Sequence, residues 1–209
     1  MYEFVTHTWN TVKGACFHDC SYCYMKRWGK LNPVRLDEKE FKTNLGYGNF
    51  IFVGSSCDMW AQDIPEEWIQ KTLEHCDKFE GNKYLFQTKN PANIRRILPY
   101  ESHVCVTLET NRVYHHIMNN CPAPGLRYLE ILKVRHPVYI TIEPIMDFDL
   151  YAFGRMIEDI EPLQVNIGAD TSKSGLPEPP KEKILELISG LEKFTTVHQK
   201  SNLKRILES

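Results

Sequence analysis

With 209 residues, 42% of them hydrophobic and 25% charged, the chain has the size and make-up of one soluble globular domain able to bury a core without staples. A formal charge of −2 excludes a general pull toward nucleic acid or an anionic membrane. No apolar run is long enough to span a bilayer, and the first residues lack the pattern of a signal peptide. Seven cysteines, an odd number in a chain this long, argue against a disulfide scaffold and for a reducing, cytoplasmic setting.

Short β-rich runs alternate with helical patterns along the chain, which argues for an α/β fold with parallel strands. The first strand is expected over residues 4–9, followed by a cysteine-rich loop, a short helix over 25–29 and a helix over 36–43. A strand over 49–54 precedes a helix that opens at Pro65 with Glu66 and Glu67 in its first turn, a favourable end for acids. Strands are expected at 84–87 and 103–108, separated by a short helix from Asn90, read as N-cap, to Leu98. Residues 112–135 read as helical at both ends and broken by prolines near 121–125. Then come a strand at 138–142, a helix at 150–160, a strand at 163–167, a loop over 174–180 and a helix at 181–194. A seventh strand at 195–198 and a closing helix at 201–207 end the series. Six or seven such units imply an incomplete TIM-like barrel, a partial (βα)6–7 arrangement. A doubly wound open sheet is the alternative that periodicity leaves open. A single core domain over residues 1–209 is expected, with no auxiliary-cluster domain.

Cys16, Cys20 and Cys23 share one loop at spacings of four and three. Thiolates are soft ligands, and closely spaced ones wrap a single metal centre. Zinc wants a fourth protein ligand, here His18 or a distant residue, whereas three cysteines on an iron–sulfur cluster leave one iron open to a substrate. Gly14, two residues before Cys16, allows the loop to begin with a tight turn.

In βα barrels chemistry gathers at the carboxyl ends of the strands. Here those ends carry Ser55, Ser56, Cys57 and Asp58, then Thr88 and Lys89, then Glu109, Glu143, Asp170 and His198. One such residue reads as a turn or a cap. Together they deliver polar groups from every strand after the first to the rim that receives the cysteine loop.

This pattern resembles that of the radical S-adenosylmethionine (radical SAM) enzymes. Beyond the three cysteines, with Tyr22 just before the last, the runs Phe52-Val-Gly-Ser-Ser-Cys-Asp58, Phe86-Gln-Thr-Lys-Asn-Pro91, Val106-Thr-Leu-Glu109 and Ile142-Glu-Pro144 look like blocks of short, phage-associated members, distantly similar to spore photoproduct lyase. The resemblance implies a 4Fe–4S cluster on Cys16, Cys20 and Cys23, with S-adenosylmethionine chelating its open iron. It implies adenine beside Tyr22, the methionine amino group at Ser55 and Ser56 where many members carry Gly-Gly-Glu, and the methionine carboxylate at Thr88 and Lys89. Glu109 would lie near the ribose hydroxyls or the methionine end. Cys57 would donate a hydrogen atom, and Asp58, Glu143, Asp170 and His198 would face a substrate, with a nucleotide or nucleic acid preferred. Flavodoxin or ferredoxin would supply electrons. A zinc- or cluster-bearing nucleic-acid-binding module without SAM turnover is the competing reading. Cys76 and Cys105 read as small core residues, Cys121 as a loop residue, and His115 with His116 as a solvated helix face. The run Lys26-Arg27-Trp28 reads as an amphipathic flank of the loop that could also stack on a base.

Overall fold

The computed structural model describes residues 2–172 and 174–208. Seven strands form one parallel sheet in chain order: β1 (His7–Trp9), β2 (Phe50–Val53), β3 (Lys83–Thr88), β4 (Ser102–Thr107), β5 (Val138–Ile142), β6 (Gln164–Ile167) and β7 (Thr196–Gln199). An order without reversal has no switch point. Right-handed crossovers therefore carry the chain round in one direction and leave the helices on one face. The molecule is a partial parallel βα barrel, with β1 at one edge of the sheet and β7 at the other.

The helices are α1 (Glu66–Asp77), α2 (His115–Met118), α3 (Pro124–Ile131), α4 (Leu150–Ile160), α5 (Lys181–Leu191) and α6 (Lys204–Leu207). Strand parity separates two cores. Ile51, Phe86, Val106 and Ile140 pack with Ile69 and Leu73 of α1, Phe153 and Ile157 of α4, and Ile184 of α5. The opposite, concave face carries Phe52, Leu85 and Cys105, covered by Tyr2 and Val5. That cover explains why β1 starts at His7 rather than at residue 4. Phe4 packs its ring on Phe50 and Tyr139, each at a centroid distance of 5.3 Å. Cys76 and Cys105 are fully buried, and His115 and His116 are exposed, as expected.

Three expected helices do not form as such. Residues 36–43 supply a short strand, Arg35–Leu36, paired antiparallel with Val12–Lys13, and then a 3-10 turn, Glu38–Lys42. Tertiary bonds hold that segment down: Asp37 N donates to Thr11 O at 2.7 Å and Trp9 Nε1 to Glu40 O at 3.2 Å. Residues 90–98 yield a single turn, Pro91–Asn93. Asn90 does not cap it, because its amide is drawn to Trp60 O at 3.1 Å, as is that of Asn93 at 3.0 Å. The helix expected at 25–29 is likewise one 3-10 turn, Tyr24–Trp28. No helix among the described residues is long and apolar enough to cross a membrane.

Candidate active site

The cysteine loop leaves β1 at the carboxyl rim. Gly14 is required at its start: φ is +113°, and a Cβ there would lie 2.5 Å from Pro33 O. Two turns curl the loop, with Asp19 N donating to Cys16 O and Cys23 N to Cys20 O, both at 3.1 Å. Cys20 is buried, while Cys16 and Cys23 are half-buried. The three thiols share one neighbourhood, since Cys16 and Cys20 both act electrostatically on Cys23. Cys20 is held at about 6, first by its hydrogen bond with the Cys121 thiol, with Lys89 helping against burial. Cys16 is held at about 7 by the thiol of Cys57, while burial pushes Cys23 up. Among the described residues no three His, Cys, Asp or Glu side chains are gathered tightly enough for a single metal ion.

Beside the loop lies a buried charge cluster. Glu109, at the end of β4, is fully buried. Its Oε1 accepts from Tyr22 Oη and from Lys89 Nζ, the latter at 3.1 Å, and its Oε2 accepts from Arg127 Nη1 at 2.7 Å. Burial alone would raise the Glu109 carboxyl, but Arg127 and Lys89 overcome it and hold it at about 2. Lys89, directly after β3, would be depressed by burial, yet Glu109 and Cys20 raise its pKa above the usual lysine range. Its ammonium also lies 5.5 Å from the centroid of the Tyr22 ring. Tyr22 is raised by its burial and by the charge of Glu109. Arg127 donates through Nε to Pro122 O at 2.7 Å and through Nη1 to Thr107 O at 2.9 Å, while its Nη2 is buried without a partner.

Asp58 ties this cluster to the loop. It accepts from His18 Nε2 at 2.8 Å, Thr88 Oγ1 at 3.0 Å, Lys89 N at 2.8 Å and Trp60 N at 2.9 Å. Burial works against the Asp58 charge, and the His18 bond prevails and lowers its pKa. Thr88 is spent in the same network, since its hydroxyl also accepts from Asn90 N at 2.7 Å. Ser55 and Ser56 follow Gly54, whose φ of +78° makes the turn off β2. Both hydroxyls donate to Asn10 Oδ1 at 3.1 Å. Cys57 is buried next to Cys16.

The other half of the rim holds the remaining expected residues. Glu143 accepts from Lys200 Nζ at 2.5 Å and from Asn202 Nδ2 at 2.9 Å. It fits against Gly168, where a Cβ would come within 2.8 Å of its Oε1. Asp170 is buried and accepts from the amides of Ser172, at 2.9 Å, and Ser174, which closes its own loop. His198 is half-buried on β7, in register with Asn166 of β6.

The rim therefore unites the three cysteines, Tyr22, Lys89, Glu109, Asp58 and Cys57 in one contiguous network, with Glu143 and His198 across the barrel mouth. Sequence reasoning missed Arg127, Asn10, Lys200 and Asn202, and saw His18 only as a zinc ligand. Arg127 had one signal: it sits four residues before the buried Ile131, on the inward face of its helix. Asn10 carries none beyond its place after β1.

Comparison with solved structures gives the same fold. A spore photoproduct lyase variant with bound AdoMet and dinucleoside spore photoproduct superposes with a TM-score of 0.66 at 12% identity, over 92% of this chain and 75% of that one. Spore photoproduct lyase complexed with dinucleoside spore photoproduct gives 0.66 at 12% identity, over 91% and 75%. Another variant gives 0.63 at 14% identity, over 95% and 76%. At such identities the likeness is one of fold. No family model and no curated protein sequence matches the chain.

Proposed function

We propose that the chain is a radical SAM enzyme. Cys16, Cys20 and Cys23 would hold a 4Fe–4S cluster, a donor set that fits through three soft thiols in one loop, two of which, Cys16 and Cys20, lie below the ordinary thiol range. When bound, the cluster supplies the electron that cleaves S-adenosylmethionine and so generates the radical that takes hydrogen from a substrate. The observation that carries the reading is the buried charge beside Cys20. Lys89 and Arg127 bring two positive charges against the one carboxylate of Glu109, with Cys20 as the further negative group acting on Lys89. With Cys20 taken up as a cluster ligand, a methionine carboxylate arriving at Lys89 would pair with it through a charge-assisted hydrogen bond.

The chain's other residues fall into place around that contact. Both Glu109 oxygens are engaged by protein, so we assign it, with Tyr22, to hold Lys89 in position rather than to meet the ribose. Asp58 and Thr88 fix the backbone on either side of Lys89. Ser55 and Ser56, gathered on Asn10, offer oxygens to an amino group. Cys57 is the candidate hydrogen-atom donor. Glu143 and His198 stand on the half of the rim left for a substrate, for which a nucleotide or nucleic acid is our preference, whereas both Asp170 oxygens are taken up by the amides of Ser172 and Ser174. Fold likeness alone is poor evidence for a substrate. A reducing compartment and a flavodoxin or ferredoxin donor would suit this chemistry.

The test is anaerobic: protein with a full, reducible cluster, S-adenosylmethionine and dithionite, with products separated by chromatography. Methionine and 5′-deoxyadenosine should appear above the Cys20→Ala control. Their absence would reject the enzyme and leave a nucleic-acid-binding module. One surface feature favours that second reading: Trp28 is 69% exposed, and the Arg27 guanidinium lies 5.1 Å from its ring centroid.

A further inference from the structure

We propose that His18 is a positioning residue that sets the cluster loop against Lys89, so that S-adenosylmethionine affinity depends on a side chain the ligand does not touch. The proposal rests on the radical SAM reading above and extends it. On that reading one small molecule must meet iron held by the cysteine loop and the ammonium of Lys89 at the same time. A misplacement of about 1 Å between two such anchors is costly. The loop follows β1 and Lys89 follows β3, so only tertiary contacts fix one against the other.

His18 lies between Cys16 and Cys20 in the loop, yet it is only 2% exposed, and its Nε2 donates to Asp58 Oδ2 at 2.8 Å. The same oxygen accepts from Lys89 N at 2.8 Å and from Thr88 Oγ1 at 3.0 Å. One carboxylate oxygen thus joins the middle of the loop to the backbone that carries the Lys89 side chain. Both ends of this strut are anchored. Asp58 Oδ1 accepts from Trp60 N at 2.9 Å. On the loop side, His18 O accepts from Asn120 N at 3.2 Å, and Phe17 O from the Asn120 side-chain amide at 2.8 Å. Cys57, beside Asp58 in the chain, touches the loop again at Cys16.

Because a protein interior is close-packed, a shift at one end of the strut is passed to the other rather than absorbed. The chemistry of the bond also says which side chains can make it. An ionised carboxylate only accepts, so the partner must bring an N–H at the reach of the imidazole Nε2. Glutamine places its amide nitrogen the same number of bonds from Cα. Asparagine falls one bond short, and leucine has no donor.

The test is a double-mutant cycle on S-adenosylmethionine affinity, measured by calorimetry on cluster-loaded protein. His18→Leu should weaken binding about ten-fold, the scale for groups that orient a ligand without touching it. His18→Gln should keep most of the wild-type affinity. In a Lys89→Ala background His18→Leu should cost nothing further, because His18 acts through Lys89. Before S-adenosylmethionine is added, iron per chain and the electron paramagnetic resonance signal of the reduced cluster should match wild type in both His18 variants. Equal losses in the two backgrounds, or an affinity that His18→Leu leaves unchanged, would overturn the proposal and leave the radical SAM reading standing. A wild-type chain that assembles no cluster, or that binds no S-adenosylmethionine once loaded, would overturn both. If His18→Leu fails to load iron, His18→Asn carries the same cycle. If neither loads iron while His18→Gln does, His18 builds the loop rather than positions Lys89, and the proposal falls.

Discussion

Lys89 holds its charge in a place where burial opposes it, and Glu109 is the reason. Replacing Lys89 by alanine should weaken S-adenosylmethionine binding by about 1.5–3 kcal/mol, the range for hydrogen bonds to charged groups. Calorimetry on cluster-loaded protein measures this, and unchanged affinity would end the assignment of Lys89 to the carboxylate. Glu109 is the more exposed to mutation in a thermodynamic sense. Glu109→Gln leaves Lys89 and Arg127 as buried, unpaired cations, which should cost about 3–5 kcal/mol in urea unfolding. The pH dependence has a definite sign. The folded carboxyl titrates at about 2 against an ordinary 4.5, so its contribution is complete above the ordinary value and is lost as pH falls toward the folded one. The Tm gap between wild type and Glu109→Gln should therefore be widest at neutral pH and shrink as pH is lowered through this window. A gap that stays constant there would contradict the ion-pair account.

At the scale of elements, the cysteine loop owes its shape to its neighbours. Its bonds to α2 and to the turn after it come from short helices that would be marginal alone. Asn120→Ala removes the bond to Phe17 O, worth about 0.5–1.5 kcal/mol. Amides over residues 16–23 should then exchange faster with deuterium while those of β3 and β4 keep their protection. Uniform loosening, or none, would show that the clamp does not hold the loop. Long periodic elements could be read from the sequence: α4 spans Leu150–Ile160 as expected, with Phe153, Ile157 and Ile160 buried along one stripe. The segments that failed as helices, 36–43 and 90–98, are short and rich in groups with tertiary partners. Trp60 O captured the Asn90 amide that local chemistry would have spent on a cap.

Across the whole molecule, the outer core couples sheet and helices into one cooperative unit. Phe86 is fully buried on β3, 5.9 Å from the Trp60 ring centroid and nearly perpendicular to it. Phe86→Ala should cost about 3–5 kcal/mol and lower the denaturant midpoint while leaving the slope unchanged. A changed slope would mean that the sheet does not unfold as one unit. The contrast with Asn120→Ala separates what holds the fold from what shapes the site.

The strands themselves were within reach of the sequence, because β2, β3, β4 and β5 are built on apolar runs whose period and punctuation are local properties, whereas their order was not, since periodicity left a doubly wound sheet open. The same locality exposed the three cysteines and located Lys89 directly after its strand. Only the tertiary structure decided that the rim residues form a single network. Pairing Glu109 with Arg127, Asp58 with His18, Ser55 and Ser56 with Asn10, and Cys20 with Cys121 joins positions 18 to 101 residues apart. No local period encodes such pairs. They arise because a parallel sheet wound in one direction brings every strand end to one mouth, where a charged side chain cut off from water must find its partner in another segment.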